Sequence, residues 1–241
     1  MIKKSPIYTV KRLLKDSFHL LSSNMMKISY QLPVVDLTDI INVNLQCKPQ
    51  LMDDICLPPH CGPLTHNDIE PLIKIIRHLN PKIVFEFGTA YGNTVANICN
   101  NSNADVITVN ALPEQMSGDF ITYAISKDKI GYVYRKYGFE KRVNQIYENT
   151  LNLNIIKYLS NNIVDIAIID ACHDTDYVIN DFTKIVPFIN KNGLILLHDT
   201  HPSMKDHLIG SYVACMKLRK MGFDIRHINN TWWGFWKNNG K

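Results

Sequence analysis

From Pro81 onward the chain alternates short, almost unbroken apolar runs with longer stretches of helical pattern. The runs are KIVFEFG (82–88), DVITVN (105–110), RVNQIY (142–147), VDIAIID (164–170) and GLILLHD (193–199). A strand covered on both faces must be apolar at successive positions, whereas one that faces water on one side alternates. Helical stretches fit between and after the runs, at 92–100, 127–138, 151–160, 176–190 and 205–221. Repetition of strand and helix predicts a parallel sheet with helices on both faces. The tail departs from this pattern. FDIRHI and TWWGFW are separated only by Asn229 and Asn230, the spacing of a closing antiparallel hairpin. The expected fold class is therefore α/β, with a seven-stranded sheet of five parallel strands plus a C-terminal antiparallel hairpin. The three tryptophans of the tail, Trp232, Trp233 and Trp236, read as aromatics packing that sheet.

Residues 67–79, NDIEPLIKIIRHL, have the pattern of an amphipathic helix with Asn67 as N-cap and Glu70 three places later. The chain divides into an N-terminal extension, 1–66, and an α/β domain, 67–241. The start of the extension carries Val10, Leu13, Leu14, Phe18 and Leu21 at helical spacing beside a basic face. Docking on the same chain or on a sister subunit, as in a homo-oligomer, is the first reading of that face. A membrane-surface or transit helix is the second.

Composition removes several classes. The net charge is only +4 with Lys and Arg spread along the chain, which argues against a nucleic-acid partner. The densest basic stretch, KDKIGYVYRKYGFEKR, is interrupted by Asp128 and Glu140 and reads as a solvated helix face. No apolar run approaches the ~20 residues needed to span a bilayer. Six cysteines, at 47, 56, 61, 99, 172 and 215, form no paired framework, so a reducing, cytoplasmic setting is expected. CLPPHC, with two prolines and no second CxxC, reads as free thiols near a turn rather than a zinc site.

The first run ends in VFEFGTAYGNT (84–94), a glycine-bearing turn between a strand and a helix. A dinucleotide-binding turn places a glycine where Glu86 stands, so that the backbone can approach a pyrophosphate. A carboxylate there would repel that group and favour a ligand with a positive centre and an amino group. S-adenosylmethionine carries both, as a sulfonium and an α-ammonium. At Glu86, Gly88, Thr89 and Gly92 the sequence resembles the first motif of the class I S-adenosylmethionine-dependent methyltransferases, a Rossmann-like family. The resemblance extends over residues 63–236 and points to the O-methyltransferase-like branch. It implies that the second strand ends in a ribose-binding acid, a position held here by Asn110. It likewise implies an acid near the adenine after the third strand, where Glu148 and Asn149 stand. Asn accepts hydrogen bonds only through a neutral oxygen, so these contacts would be weaker than charged ones. Glu114 could restore the missing charge.

The fourth and fifth runs end in IIDACHDTDY and LILLHDTHP, placing Asp170, His173, His198 and Asp199 at adjacent strand ends. Two aspartates there suit an oxygen-preferring cation such as Mg²⁺. The resemblance implies a divalent cation on Asp170 and Asp199, with His198 as a neighbour of the metal or a satisfied core histidine. Asp170 would also face the cofactor. An acceptor hydroxyl must lose its proton to become a nucleophile, and His173 has the residue type and the place for a general base. The plainer readings are an aspartate capping a helix and a histidine bonded within its loop. Cys172 beside His173 lacks an oxyanion hole, and the segment around Ser211 lacks a nucleophile elbow.

The activity expected from these features is methyl transfer from S-adenosylmethionine to an oxygen of a small-molecule acceptor, such as a sugar or other polyhydroxylated metabolite, aided by a divalent cation. Two alternatives remain open at this level. One is an iron-dependent hydroxylase of the cephalosporin-hydroxylase type, using His173, His198 and Asp199. The other is a cofactor-binding subunit that has lost the reaction.

Overall fold

The computed structural model describes residues 32–41, 50–51, 66–116, 124–159, 163–201 and 209–240. The amphipathic N-terminal stretch and the CLPPHC segment lie outside the described residues. One sheet contains strands β1 (Val34–Val35), β2 (Ile83–Phe87), β3 (Asp105–Val109), β4 (Val143–Ile146), β5 (Val164–Ile169), β6 (Ile189–Leu197), β7 (Arg226–Ile228) and β8 (Gly234–Lys237). Their order is β1-β7-β8-β6-β5-β2-β3-β4. Every neighbouring pair is parallel except those of β8, which runs antiparallel to both β6 and β7. The five apolar runs are β2 to β6, and the tail is the expected hairpin, its last strand inserted between β6 and β7.

The helices are α1 (His66–Leu79), α2 (Asn93–Asn101), α3 (Tyr132–Lys136), α4 (Ile156–Leu159), α5 (Thr175–Ile185) and α6 (Ile209–Lys220). Alternate residues of the central strands enter two separate cores. Val84, Val106, Ile166, Ile168 and Leu196 pack with Leu72, Ile73 and Ile76 of α1 and with Val95 and Ile98 of α2. Phe85, Phe87, Val109, Ala167, Ile169 and Leu197 pack with Phe182 and Ile185 of α5 and Leu218 of α6. This two-sided burial is why the strands read as unbroken apolar runs.

Five details differ from the sequence reading. The sheet has eight strands, because β1 pairs parallel with β7 and supplies carbonyls of Pro33 and Val35 to the amides of His227 and Asn229, both at 2.8 Å. Two residues carry too little pattern to be recognised as a strand. The helix expected over 127–138 is reduced to α3, because Gly131 at φ +72° starts it late, and a Cβ at that position would lie 2.3 Å from the Tyr134 ring. The helix expected over 151–160 is reduced to α4, since Asn149 to Leu153 close hydrogen-bonded turns first. Finally, α5 gives way to a 3-10 turn at Val186–Phe188, and β6 starts at Ile189 rather than Gly193. Pro187 lacks the amide hydrogen that a continuing helix would need. Helix α1 begins at His66, so Asn67 lies inside its first turn rather than capping it.

Candidate active site

Register brings the strand ends together. Phe87 is level with Val109 of β3 and Ile169 of β5, and Ile169 with Leu197 of β6. Hydrogen bonds continue one residue further, from Asp170 N to Phe87 O at 2.9 Å and from His198 N to Ile169 O at 3.0 Å. Gly88, Asp170 and His198 therefore leave the sheet side by side. Between β2 and its two neighbours the chain changes winding direction, the place where open α/β sheets bind ligands. Gly88 is dictated by this junction. Its φ is +106°, and a Cβ would lie 2.1 Å from the carbonyl oxygen of Asp170. Gly92 caps α2 at φ +83° and abuts Gly131 and Tyr134.

Glu86 is buried, 1% exposed, on the strand beneath this turn. Its Oε2 accepts the Thr108 hydroxyl at 2.5 Å. Thr108 has a single proton, so in its 2.7 Å contact with Thr89 the Thr89 hydroxyl donates. Thr89 in turn accepts from Gln145 Nε2 at 2.9 Å. This relay crosses β2, β3 and β4 and ends on one carboxyl group. Burial pushes the Glu86 carboxyl from 4.5 up to about 8; the Thr108 bond opposes the rise and the charge of Asp170 adds to it. Without a cation beside it, Glu86 is protonated at neutral pH. An arriving positive group would make ionisation favourable.

At the ends of β5 and β6 lies a cluster of acids and imidazoles. His173 Nδ1 is 3.0 Å from Asp199 Oδ2. His198 Nδ1 is 3.1 Å from Asp170 Oδ1 and 3.1 Å from Asp199 Oδ1, while its Nε2 is 3.4 Å from Asp68 Oδ1. Burial disfavours a charge on His198, yet the Asp170 and Asp199 carboxylates outweigh burial and raise its pKa well above 6.5. It is an imidazolium held among carboxylates. Asp199 sits at φ +59°, a conformation uncommon outside glycine and better tolerated by Asp and Asn. The side chains of Asp170 and His173 stay 22% and 21% exposed, so these two are the members open to a ligand.

One ligand-type atom each of Asp170, His173 and Asp199 lies within 4.8 Å of the others. The third member is thus His173 and not His198, whose two ring nitrogens both face carboxylates. The set offers two carboxylate oxygens and one imidazole nitrogen as donors.

The remaining expected residues are engaged locally. Asn110 Oδ1 accepts the Ala90 amide at 2.9 Å and its Nδ2 donates to Ala111 O at 2.8 Å, which ties it to the glycine-bearing turn. Asn149 is buried, accepts from the Leu151 amide and donates to Gln115 O. Glu148 is half-buried, its amide bonded to Asn110 O, and Glu114 is exposed on a 3-10 turn. Sequence reasoning missed Asp68, Thr108, Gln145 and Trp232. Trp232 stacks on His198 at 6.0 Å and 19° instead of packing the sheet, while Trp233 and Trp236 join the cores. A polar residue in an otherwise apolar run, Thr108 in DVITVN, was the available signal for the relay.

Residues 85–200 match the family model described as a methyltransferase domain. The fold is shared with a Staphylococcus aureus protein assigned as a caffeoyl-CoA O-methyltransferase, at TM-score 0.54 and 17% identity over 71% of this chain and 82% of that one. It is shared also with an S-adenosylhomocysteine-bound methyltransferase from Podospora anserina, at TM-score 0.51 and 17% identity over 69% and 75%. The chain matches no curated protein sequence. Residues 85–200 are thus similar to a methyltransferase domain, and the fold is the one these methyltransferases share. No helix among the described residues is long and apolar enough to cross a membrane.

Proposed function

We propose that this chain transfers a methyl group from S-adenosylmethionine to an oxygen of a small, polyhydroxylated acceptor, with His173 as general base. The observation that supports this best is the His173 to Asp199 contact at 3.0 Å beside the turn that carries Glu86. S-adenosylmethionine supplies an electrophilic methyl group on a good leaving group. Glu86 would face its positive methionine end, and Gly88, Thr89 and Gly92 would shape the turn around it. Asn110 would meet the ribose, and Glu148 and Asn149 would border the adenine. Asp199 accepts the Nδ1 proton of His173 and thereby leaves Nε2 as the basic atom, the logic of an oriented imidazole base. His198 fixes Asp199 from the other side, so the base is held without a mobile counter-ion. The acceptor would enter where Asp170 and His173 are exposed.

A second reading keeps the same transfer but places a divalent cation on Asp170 and Asp199, favoured by the proximity of their oxygens to each other and to His173. A cation bound there would lower the pKa of an acceptor hydroxyl. Thermal-shift titration with S-adenosylhomocysteine tests the cofactor assignment. A ligand at 100 times its Kd adds about 2.7 kcal/mol of stability, and an unmoved melting curve would remove the proposal. Labelled-methyl transfer to a panel of sugars and catechols, with EDTA and with Mg²⁺ or Mn²⁺ restored, separates the two readings.

A further inference from the structure

Among the described residues, Asp68 is the one carboxylate at the cluster that does not come from a strand end. It lies in the first turn of α1, is 4% exposed, and meets His198 across 130 residues of sequence. Its backbone carbonyl accepts Trp233 Nε1–H at 2.6 Å, which anchors this turn of α1 to the hairpin. The Trp232 and Trp233 rings flank His198, with centroids at 6.0 and 4.5 Å. The flanking rings restrict the swing of the imidazole about Cβ–Cγ, and a hydrogen bond at the far nitrogen fixes what freedom remains. Second partners of this kind decide how an imidazole presents its other nitrogen.

We propose that Asp68 is a positioning residue: by holding Nε2 of His198 it sets the plane in which Nδ1 meets Asp170 and Asp199, and through Asp199 it aligns His173. The proposal rests on the reading of His173 as the base. It makes α1 part of the site although it contributes no group that touches the acceptor. Severing the Asp68 bond lets the His198 ring turn, frees the Asp199 carboxylate to rotate away from His173, and leaves the Glu86 relay untouched.

The test uses the full chain, labelled with ¹⁵N at its histidines, as wild type, Asp68→Ala and Asp68→Asn. His173→Gln supplies the assignment of the His173 imidazole signals. Asp68→Ala is expected to lose the His198 Nε2–H resonance and to shift the His173 Nδ1–H resonance. Asp68→Asn retains an oxygen at the same place and is expected to keep both resonances, with Nε2–H moved upfield by the neutral acceptor. An unmoved His173 resonance in Asp68→Ala overturns the proposal, as does an equal shift in both variants, which would mark helix docking instead. If Asp68→Ala fails to fold, Asp68→Asn decides alone: an unmoved Nε2–H resonance overturns the proposal. Calorimetry with S-adenosylhomocysteine runs alongside. Equal affinity in wild type and Asp68→Asn supports the separation of Asp68 from the cofactor site. Absence of binding in wild type overturns the cofactor assignment while leaving the resonance result to judge Asp68.

Discussion

His173 and Asp199 meet at 3.0 Å through Nδ1 and Oδ2, in the loops that follow the adjacent parallel strands β5 and β6, although 26 positions separate them in the sequence. The proposed role of His173 as base rests on this contact. His173→Ala should lower methyl transfer by ~10²–10⁴-fold, the usual contribution of a positioned base. The thermal shift caused by S-adenosylhomocysteine should persist. Unchanged turnover in the labelled-methyl assay would take His173 out of the mechanism.

Asp199→Asn keeps a side chain that tolerates the φ of +59° and removes the charge that orients His173. Melting temperature should fall at neutral pH, because one of the two carboxylates that hold the buried His198 imidazolium is neutralised, and transfer should fall as well. Groups acting as a unit lose activity together, so the double variant with His173→Ala should be little worse than either single one. Additive losses in the same assay would show that the two act separately.

Cofactor affinity should depend on pH through Glu86. The free protein carries this acid protonated until about 8, and a cationic ligand favours the ionised form. Binding of S-adenosylhomocysteine, which retains the α-ammonium, should strengthen by about tenfold per pH unit below that value and then level off. Glu86→Gln should bind more weakly and lose the slope. Calorimetry at several pH values measures both.

The same group predicts a stability effect of opposite sense. Below pH 4.5 the folded and unfolded chains both hold the Glu86 proton, so the group is neutral to folding. Between 4.5 and about 8 the unfolded chain releases a proton that the folded chain retains, and stability declines as pH rises. Glu86→Gln should therefore melt higher than wild type at pH 8 and close to it at pH 4. A wild type that melts higher at pH 8 would contradict the buried, protonated state.

Gly88→Ala would press a methyl group against the carbonyl of Asp170 at a backbone angle of +106°. The cost should exceed ~1 kcal/mol, with a fall of roughly 2–4 °C in Tm for each kcal/mol in a chain of this size. Thermal melting without ligand checks this directly.

Much of this architecture was legible because strands buried on two faces leave a mark that depends on no distant residue. Glu86, Gly88, Asp170, His173 and Asp199 were readable for a related reason: each follows or ends such a run, and the parallel register places those ends together. The partners of the cluster were not. Asp68 reaches His198 from a helix 130 residues earlier, and nothing local in NDIEPLIK distinguishes it from a first-turn acid placed for the helix dipole. His198 itself was ambiguous because a metal ligand and an imidazolium clamped by acids look identical in LILLHDT. Gly131 hid in an otherwise helical stretch, and only its contact with Tyr134 shows why the helix starts late.

The short strand β1 has a practical bearing on how shortened versions of the chain would behave. Removing everything ahead of α1 would strip the cover from the outermost ladder and leave the amides of His227 and Asn229 facing water or a neighbouring molecule. Raw edges of that kind recruit foreign strands. The leading segment is in this sense a hem: it finishes the fabric on the side away from β4, and trimming it invites fraying and clumping.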